Sequence, residues 1–247
     1  MRGSQLMQDG ITRMGRPQNA SHARLNRFVD MDGELLARSL EAFTERQLPQ
    51  LEQVAGYRTI FFGVDLKRGK ATGITLWHTE AALRASEPAE EAARALALAR
   101  AGGERGKGLV DRYALIMERR AETGVEDATY ARLSRWEGLR PSLIGEALGQ
   151  FEQLHLPELE DLPGFRGFMV GANWLLGNTL SVSLWDSKDA LNGSLEWERG
   201  ARTTSESLGG LQPRTVIADS YSVALAPELR NFRSRAGWGA DNASQAA

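Results

Sequence analysis

The amino-acid sequence predicts an α+β protein built from two similar copies in tandem. Two observations lead to this prediction. The 247-residue chain aligns with itself at a shift of 108 residues, and both copies carry the same succession of strand-like and helix-like patterns. A length of about 150 residues per domain also allows two domains in this chain. Hydrophobic residues make up 42% and charged residues 25% of the chain, which is typical of a folded globular protein.

The internal repeat is the strongest feature of the sequence. Ala23–Ser86 aligns with Ala131–Ser194 without a gap, and 20 of the 64 aligned positions are identical. The period is longer than the roughly 20–50 residues of solenoid repeats. Each copy is therefore expected to be a small domain, and the domain boundaries are predicted at 21–120 and 128–226.

The first copy begins with a strand and an amphipathic helix. Apolar and polar residues alternate over 23–30, as in a half-buried strand. Leu36, Leu40 and Phe43 then recur at spacings of four and three, which predicts a helix with one apolar face. Pro49 should end or kink that helix, because proline lacks the backbone donor.

A hairpin, a second helix and a last strand complete the first copy. Tyr57–Asp65 is rich in aromatic and β-branched residues, and a Gly-containing turn leads from it into Ala71–Trp77. Thr79 is placed to cap an alanine-rich helix over Glu80–Arg100. Leu109–Met117 is predicted as the last strand.

The second copy repeats this order, which is β-α-β-β-α-β, the ferredoxin-like arrangement. Its last strand is predicted over Thr215–Ala224. One such unit exposes an open face of an antiparallel sheet, so the two tandem ferredoxin-like units are predicted to form an intramolecular dimeric α+β barrel. The terminal segments 1–20 and 227–247 lack apolar periodicity and are expected to be flexible.

Composition excludes several kinds of site. The absence of cysteine excludes a disulfide framework, a thiol nucleophile, an iron–sulfur cluster and a thiolate zinc site. A net charge of −2 argues against a nucleic-acid partner. No apolar run approaches the roughly 18 residues of a membrane span. The first residues lack the apolar core of a secretory signal, so a cytoplasmic protein is expected.

Short motifs in both copies resemble a known family. The first copy carries Leu48-Pro-Gln-Leu, Gly56-Tyr-Arg and Leu76-Trp77. The second copy has the sharper form, Leu162-Pro-Gly-Phe-Arg166 followed by Leu184-Trp-Asp-Ser-Lys-Asp-Ala-Leu191. This pattern resembles the antibiotic biosynthesis monooxygenase-like family of dimeric α+β barrel proteins. The resemblance implies a cofactor-independent monooxygenase or related tailoring enzyme that acts on a flat aromatic or polyketide-like small molecule, with no cofactor and no metal.

Two positions depart from the catalytic members of that family. The quinone-forming members carry an Asn one strand turn before the signature Trp and a Tyr six residues after it. Those positions hold Gly73 and Leu83 in the first copy, and Ser181 and Leu191 in the second. The alternative is therefore a non-catalytic small-molecule-binding or scaffold protein of the same fold.

His78 and Arg24 are the candidate catalytic residues. His78 follows Trp77 at the predicted pocket mouth, and histidine titrates near neutral pH. The alternative for His78 is an exposed residue at a helix start. Arg24 is a cation within a strand, which must be paired, bound to an anion or exposed at an edge. The alternative role of Arg24, and equally of Arg27 and Arg58, is a structural salt bridge with Glu52 or Asp111.

The candidate pocket residues are aromatic side chains that could stack on a flat ligand and arginines that could hold an oxyanion. They are Trp77, Tyr57, Arg27, Arg58, Trp185, Arg132 and Arg135. The first copy is favoured as the working pocket, because it carries both His78 and Tyr57. Further pairing of full chains into a homo-oligomer also fits the sequence.

Overall fold

The computed structural model describes residues 21–102, 105–121, 128–208 and 213–225. The segments predicted to be flexible, 1–20 and 227–247, lie outside the described residues. The described chain divides into two compact units. We call residues 21–112 with 221–225 unit I, and residues 113–220 unit II.

Unit I contains a central strand with a neighbour on each side. Its elements are β1 (Ser21–Val29), α1 (Gly33–Arg46), α2 (Leu48–Glu52), β2 (Tyr57–Asp65), β3 (Lys70–Trp77), α3 (Glu80–Ala85), α4 (Glu87–Ala101) and the start of β4 (Lys107–Arg120). β3 is antiparallel to both neighbours, with Ile74 opposite Leu25 of β1 and Phe61 of β2. The predicted β-α-β-β-α succession is therefore present in this half of the chain.

Unit II has the same arrangement. Its elements are the end of β4, β5 (Tyr130–Glu137), α5 (Pro141–Leu154), α6 (Leu156–Glu160), β6 (Phe165–Asn173), β7 (Asn178–Trp185), α7 (Lys188–Gly193), α8 (Leu195–Leu208) and the start of β8 (Thr215–Leu225). β7 is the central strand, with Val182 opposite Leu133 of β5 and Met169 of β6. Both units are thus mixed α+β structures with antiparallel sheets.

The last strands have more partners than the sequence pattern predicts. The pattern assigns each last strand to its own copy, and β4 does lie beside β1, and β8 beside β5. The end of β4 also pairs with β6 of unit II, with Ala114 opposite Ala172. The end of β8 pairs with β2 of unit I, with Phe62 opposite Ala224. Alternation of apolar residues shows which faces of a strand are buried, but it does not specify the strand that pairs with each edge.

The second helix of the first copy is also divided. The alanine-rich segment is predicted as one helix over Glu80–Arg100, whereas the structure has α3 and α4, which meet at Ser86. Pro88 lies in the first turn of α4, where its missing donor leaves no hydrogen bond unmade. The Ser86 hydroxyl donates to the carbonyl oxygen of Leu83 at 2.7 Å and closes the end of α3.

Glycine is required at the two β-hairpin turns. Gly69 and Gly177 have φ angles of 59° and 64°, in the left-handed region that glycine adopts without steric cost. A Cβ atom at either position would lie 2.1 Å from a backbone carbonyl oxygen, of Met31 or Leu139. These turns fix the register of β2 with β3 and of β6 with β7.

Each sheet packs against its helices through a buried apolar core. In unit I the core includes Leu36 and Leu40 of α1 against Ile60 and Val64 of β2. In unit II, Leu156 and Leu159 of α6 pack in one cluster with Trp185 at the end of β7. Among the described helices, none combines the length and apolar character needed to cross a membrane.

Candidate functional site

Unit II contains a cavity of about 120 Å³ between its sheet and helices α5 and α8. The sheet side is lined by alternate residues of three strands, because successive side chains of a strand point to opposite faces. These residues are Arg132, Ser134 and Trp136 of β5, Phe168 and Val170 of β6, and Thr179, Ser181, Ser183 and Trp185 of β7. The sheet therefore gives the cavity a floor that combines side-chain hydroxyl groups with aromatic rings.

The helix side is mainly apolar. Ile144, Leu148 and Phe151 line the cavity from α5, at helical spacings of four and three. Phe151 stacks on Phe168, with ring centroids 5.2 Å apart, and meets Trp197 of α8 edge-on at 6.4 Å. A wall of this kind suits the face of a flat aromatic ring.

Glu198 of α8 is the centre of a polar network on the cavity wall. Its carboxylate lies 3.0 Å from Arg132 Nη1 and 3.3 Å from Arg202 Nη2. It also accepts a hydrogen bond from the Ser134 hydroxyl at 3.0 Å. The side chain of Glu198 is 16% exposed, whereas that of Arg132 is 6% exposed. The carboxylate therefore neutralises a buried cation beside the cavity.

Arg132 is anchored by α7 as well as by Glu198. Its guanidinium donates to the Ser194 hydroxyl and to the Leu191 carbonyl oxygen, both at 2.8 Å. Burial lowers the pKa of the Arg132 guanidinium, and the charge of Glu198 and its hydrogen bond oppose that shift. The guanidinium stays charged at neutral pH, since the ordinary pKa of arginine lies far above it.

Unit I holds the equivalent network in a more closed form. Arg24 donates to the Ser86 hydroxyl at 2.7 Å and to the Leu83 carbonyl oxygen at 2.6 Å. It also lies 2.8 Å from Glu87 and 3.3 Å from Glu90. The cavity beside this network measures about 40 Å³.

The candidate arginines are engaged within their units. Arg24 is fully buried, and its partners are the α4 carboxylates. Arg27 makes the alternative pairing with Asp111, at 2.9 Å. Arg58 donates to the Ser21 hydroxyl, and Arg135 pairs with the neighbouring Glu137. Of the seven predicted pocket residues, Arg132 and Trp185 line the unit II cavity.

The two signature tryptophans occupy equivalent buried positions. Trp77 and Trp185 are 0% and 1% exposed. Their indole groups donate to Thr75 at 3.1 Å and to Ser183 at 3.0 Å, respectively. Tyr57 meets Trp77 edge-on at 5.6 Å, and Phe165 meets Trp185 edge-on at 5.9 Å. Trp185 also lines the unit II cavity. Neither Trp77 nor Tyr57 lines the unit I cavity.

His78 is exposed at the end of β3. Its backbone N–H donates to the Gly56 carbonyl oxygen at 2.8 Å, which holds the chain at that turn. The side chain does not line the unit I cavity. Within the described ranges, no three His, Asp or Glu side chains come together as a metal site.

The sequence interpretation missed the carboxylates that organise both networks. Continuing the same 108-residue shift beyond Ser194 places Glu90 on Glu198 and Arg94 on Arg202. These residues lie in helices whose surrounding sequences diverge, so the gap-free alignment ends before them. Their recurrence at the same shift was the signal that could have identified them.

Comparisons with known proteins identify the fold. No protein-family model matches the chain, and no curated protein matches it. Similar solved structures include one described as an anthrone oxidase-like protein, which is 18% identical with a TM-score of 0.61 and covers 85% of this chain and 94% of its own. A candidate monooxygenase from Lactobacillus acidophilus NCFM is 11% identical with a TM-score of 0.58, over 83% of this chain and 95% of its own.

A candidate chlorite dismutase is also similar, with 9% identity and a TM-score of 0.55 over 87% of this chain and 99% of its own. At these identities the likeness concerns the fold and not the reaction. The chain therefore has the α+β fold that monooxygenase-like and chlorite dismutase-like structures share.

Proposed function

We propose that unit II binds a flat aromatic or polyketide-like small molecule, and that the chain is a cofactor-independent monooxygenase or a related tailoring enzyme. The observation that carries this proposal is the unit II cavity, which combines stacked aromatic walls with a line of hydroxyl groups. Its shape suits an aromatic ring with hydroxyl or carbonyl groups along one edge. The similarity in fold to an anthrone oxidase-like protein supports the same class of substrate.

In the proposed reaction the substrate supplies the electrons and dioxygen is the oxidant. A ring CH₂ flanked by a phenol or ketone loses a proton, and the resulting carbanion forms a C–O bond with dioxygen. The peroxide anion formed in this step takes a proton back and becomes a hydroperoxide. The hydroperoxide then loses water and leaves a carbonyl group, so one oxygen atom enters the product and the other leaves in water. The protein stabilises the oxyanion that accompanies the carbanion and keeps bulk water out.

Arg202 and the hydroxyl groups of Ser181 and Ser183 are the proposed oxyanion partners. All three line the cavity, and Arg202 remains 31% exposed while it contacts Glu198. A cation at this position can approach a ligand oxygen with less desolvation than the buried Arg132. His78 and Arg24 belong to unit I and do not line this cavity. The catalytic roles predicted for them therefore stay predictions.

A non-catalytic binding protein is the second candidate. Glu198 already takes contacts from Arg132, Ser134 and Arg202. These three contacts occupy the carboxylate, so a bound ring would have to displace one of them before Glu198 could accept a proton from it. The same cavity would then bind the aromatic molecule without converting it.

Oxygen consumption separates the two candidates. The full chain is mixed with a panel of anthrones, which carry the required ring CH₂, and of hydroquinones, without added metal or flavin. The enzyme proposal predicts uptake that Arg202→Gln lowers at least tenfold, while the exposed Arg199→Gln on the same helix serves as the matched control. A loss of uptake in His78→Ala, with Arg202→Gln unaffected, would move the reaction to unit I. No uptake together with ligand binding would favour the binding protein.

We also propose that the two halves arose by duplication and pack sheet to sheet as an intramolecular pseudo-dimer, to which further copies of the chain can add. The recurrence of the Arg24 network around Arg132 supports a common origin. β2 also takes a partner strand from the end of the chain, with Val64 opposite Ser222. A fragment cut near Glu126 would leave that edge of β2 unpaired, and we expect it to self-associate in light scattering. A well-behaved monomeric fragment would contradict the pseudo-dimer.

A further inference from the structure

The two units place one aromatic side chain at different positions of equivalent strands. At the shift of 108 residues, Ile60 and Phe62 of β2 correspond to Phe168 and Val170 of β6. Positions two apart on a strand share a face, so both pairs face the cavity of their own unit. The two pairs have similar total volume, but the ring is moved by two residues along the strand.

In unit I the ring fills the end of the cavity. Phe62 packs against Phe43 of α1, with ring centroids 5.0 Å apart. It also covers Gly73, which is its direct partner on β3. A Cβ atom at Gly73 would lie 3.3 Å from the Phe62 ring, and the three nearest atoms to that Cβ all belong to this ring. Phe62 therefore uses the space that a side chain at position 73 would take.

In unit II the same place is open. Val170 is the smaller residue, and its direct partner on β7 is Ser181. The Phe168 ring lies toward the other end, where it stacks on Phe151. Val170, Ser181 and Phe168 all line the larger cavity.

The volumes of the two cavities differ accordingly. The unit II cavity measures about 120 Å³, whereas that of unit I measures about 40 Å³. A closed apolar cavity of roughly 150 Å³ accommodates benzene. The unit II cavity is of this order, so it can take a ring, whereas the unit I cavity has about a third of that volume and is too small for one.

We propose that the Val170–Ser181 pair opens unit II to aromatic ligands and that the Phe62–Gly73 pair closes unit I, so that each chain binds one ligand. This inference rests on the aromatic ligand class proposed above. Unit I then retains the buried network of Arg24 and Glu90 for stability alone. Val170 and Ser181 are specificity-determining residues, because they set the length of ring that the cavity admits.

The test is the binding stoichiometry of 1-naphthol to the full chain by isothermal titration calorimetry. We expect one equivalent for the unmodified chain. Val170→Phe/Ser181→Gly transfers the unit I pair into unit II and should weaken binding at least tenfold. Phe62→Val/Gly73→Ser transfers the unit II pair into unit I and should raise the stoichiometry to two equivalents, since the ring that crowds position 73 is removed.

Two results would overturn the inference. One is binding of two equivalents by the unmodified chain, and the other is a stoichiometry that stays at one in a folded Phe62→Val/Gly73→Ser variant. Thermal unfolding shows whether each variant folds. If Val170→Phe/Ser181→Gly does not fold, Val170→Ile, which adds one methylene group, is used in its place to narrow the cavity. Oxygen uptake is measured separately. If no oxygen is taken up but the stoichiometries are as expected, the enzyme proposal is contradicted and this inference is not. If the unmodified chain does not bind 1-naphthol, both the proposed aromatic ligand and this inference are contradicted.

Discussion

Glu198 is the residue on which the stability of the unit II network most depends. Replacing it by glutamine removes the negative charge beside Arg132, whose side chain is 6% exposed, and keeps the size of the side chain. Removing one partner of a buried ion pair costs about 3–5 kcal/mol, because the remaining charge stays buried without compensation.

The structure lowers that figure for this pair. Arg132 keeps two acceptors, the Ser194 hydroxyl and the Leu191 carbonyl oxygen. The Glu198 side chain is itself 16% exposed, so some of its charge is already screened by solvent. We therefore expect Glu198→Gln to lower the free energy of unfolding by about 2–3 kcal/mol, which corresponds to a decrease in Tm of about 4–12 °C for a chain of this length.

Urea unfolding followed by circular dichroism measures this change. Glu196→Gln is the matched control, because Glu196 is exposed in the first turn of the same helix and its replacement should change stability by no more than about 0.5 kcal/mol. The double variant Arg132→Met/Glu198→Met removes both charges and should recover at least half of the loss. A loss in Glu198→Gln no larger than that of the control would refute the role assigned to the buried pair.

Three other changes test separate features of the structure. Burial raises the pKa of Glu87, but hydrogen bonds from Arg112 and Arg94 lower it by more. The resulting stabilisation is complete above the ordinary glutamate pKa of about 4.3 and is lost as the pH falls through the lowered value. Glu87→Gln removes this contribution, so the decrease in Tm below about pH 4 should be smaller in the variant than in the unmodified chain. Gly164→Ala should lower the free energy of unfolding by about 2–4 kcal/mol in urea titration, since φ is 78° and the added Cβ would lie 2.5 Å from that of Ala190; a loss under about 1 kcal/mol would contradict the steric argument. Leu175→Asn should change the urea midpoint within error, because Leu175 is 92% exposed, and a clear loss would show that this leucine is buried in solution.

Much of the fold could be predicted from the sequence because local patterns determine strands, helices and turns. Alternation marks β1 and β5, helical spacing marks α1 and α5, and the hairpin glycines mark the turns. The divided helix at Ser86 needed closer attention to Pro88, which cannot lie in a helix interior. Which strand pairs with each end of β4 and β8 depends on residues far apart in the sequence, and local periodicity does not specify it.

The site was harder to predict because its cavity depends on the position of one ring. Conspicuous residues such as His78 and Tyr57 favoured the first copy, whereas the larger cavity lies in unit II. The difference comes from Phe62 and Val170, which are ordinary apolar residues in a strand pattern. Their effect on volume becomes visible only when the facing residues, Gly73 and Ser181, are known.

Binding of an aromatic ring in the unit II cavity is tested most directly by a crystal structure of the full chain with 1-naphthol. We expect one ring system over Val170, next to the stacked rings of Phe151 and Phe168, with its hydroxyl group within hydrogen-bond distance of Ser181 or Ser183, and none beside Phe62. A ligand bound in unit I, or a unit II cavity that stays empty at saturating 1-naphthol, would contradict the proposed site.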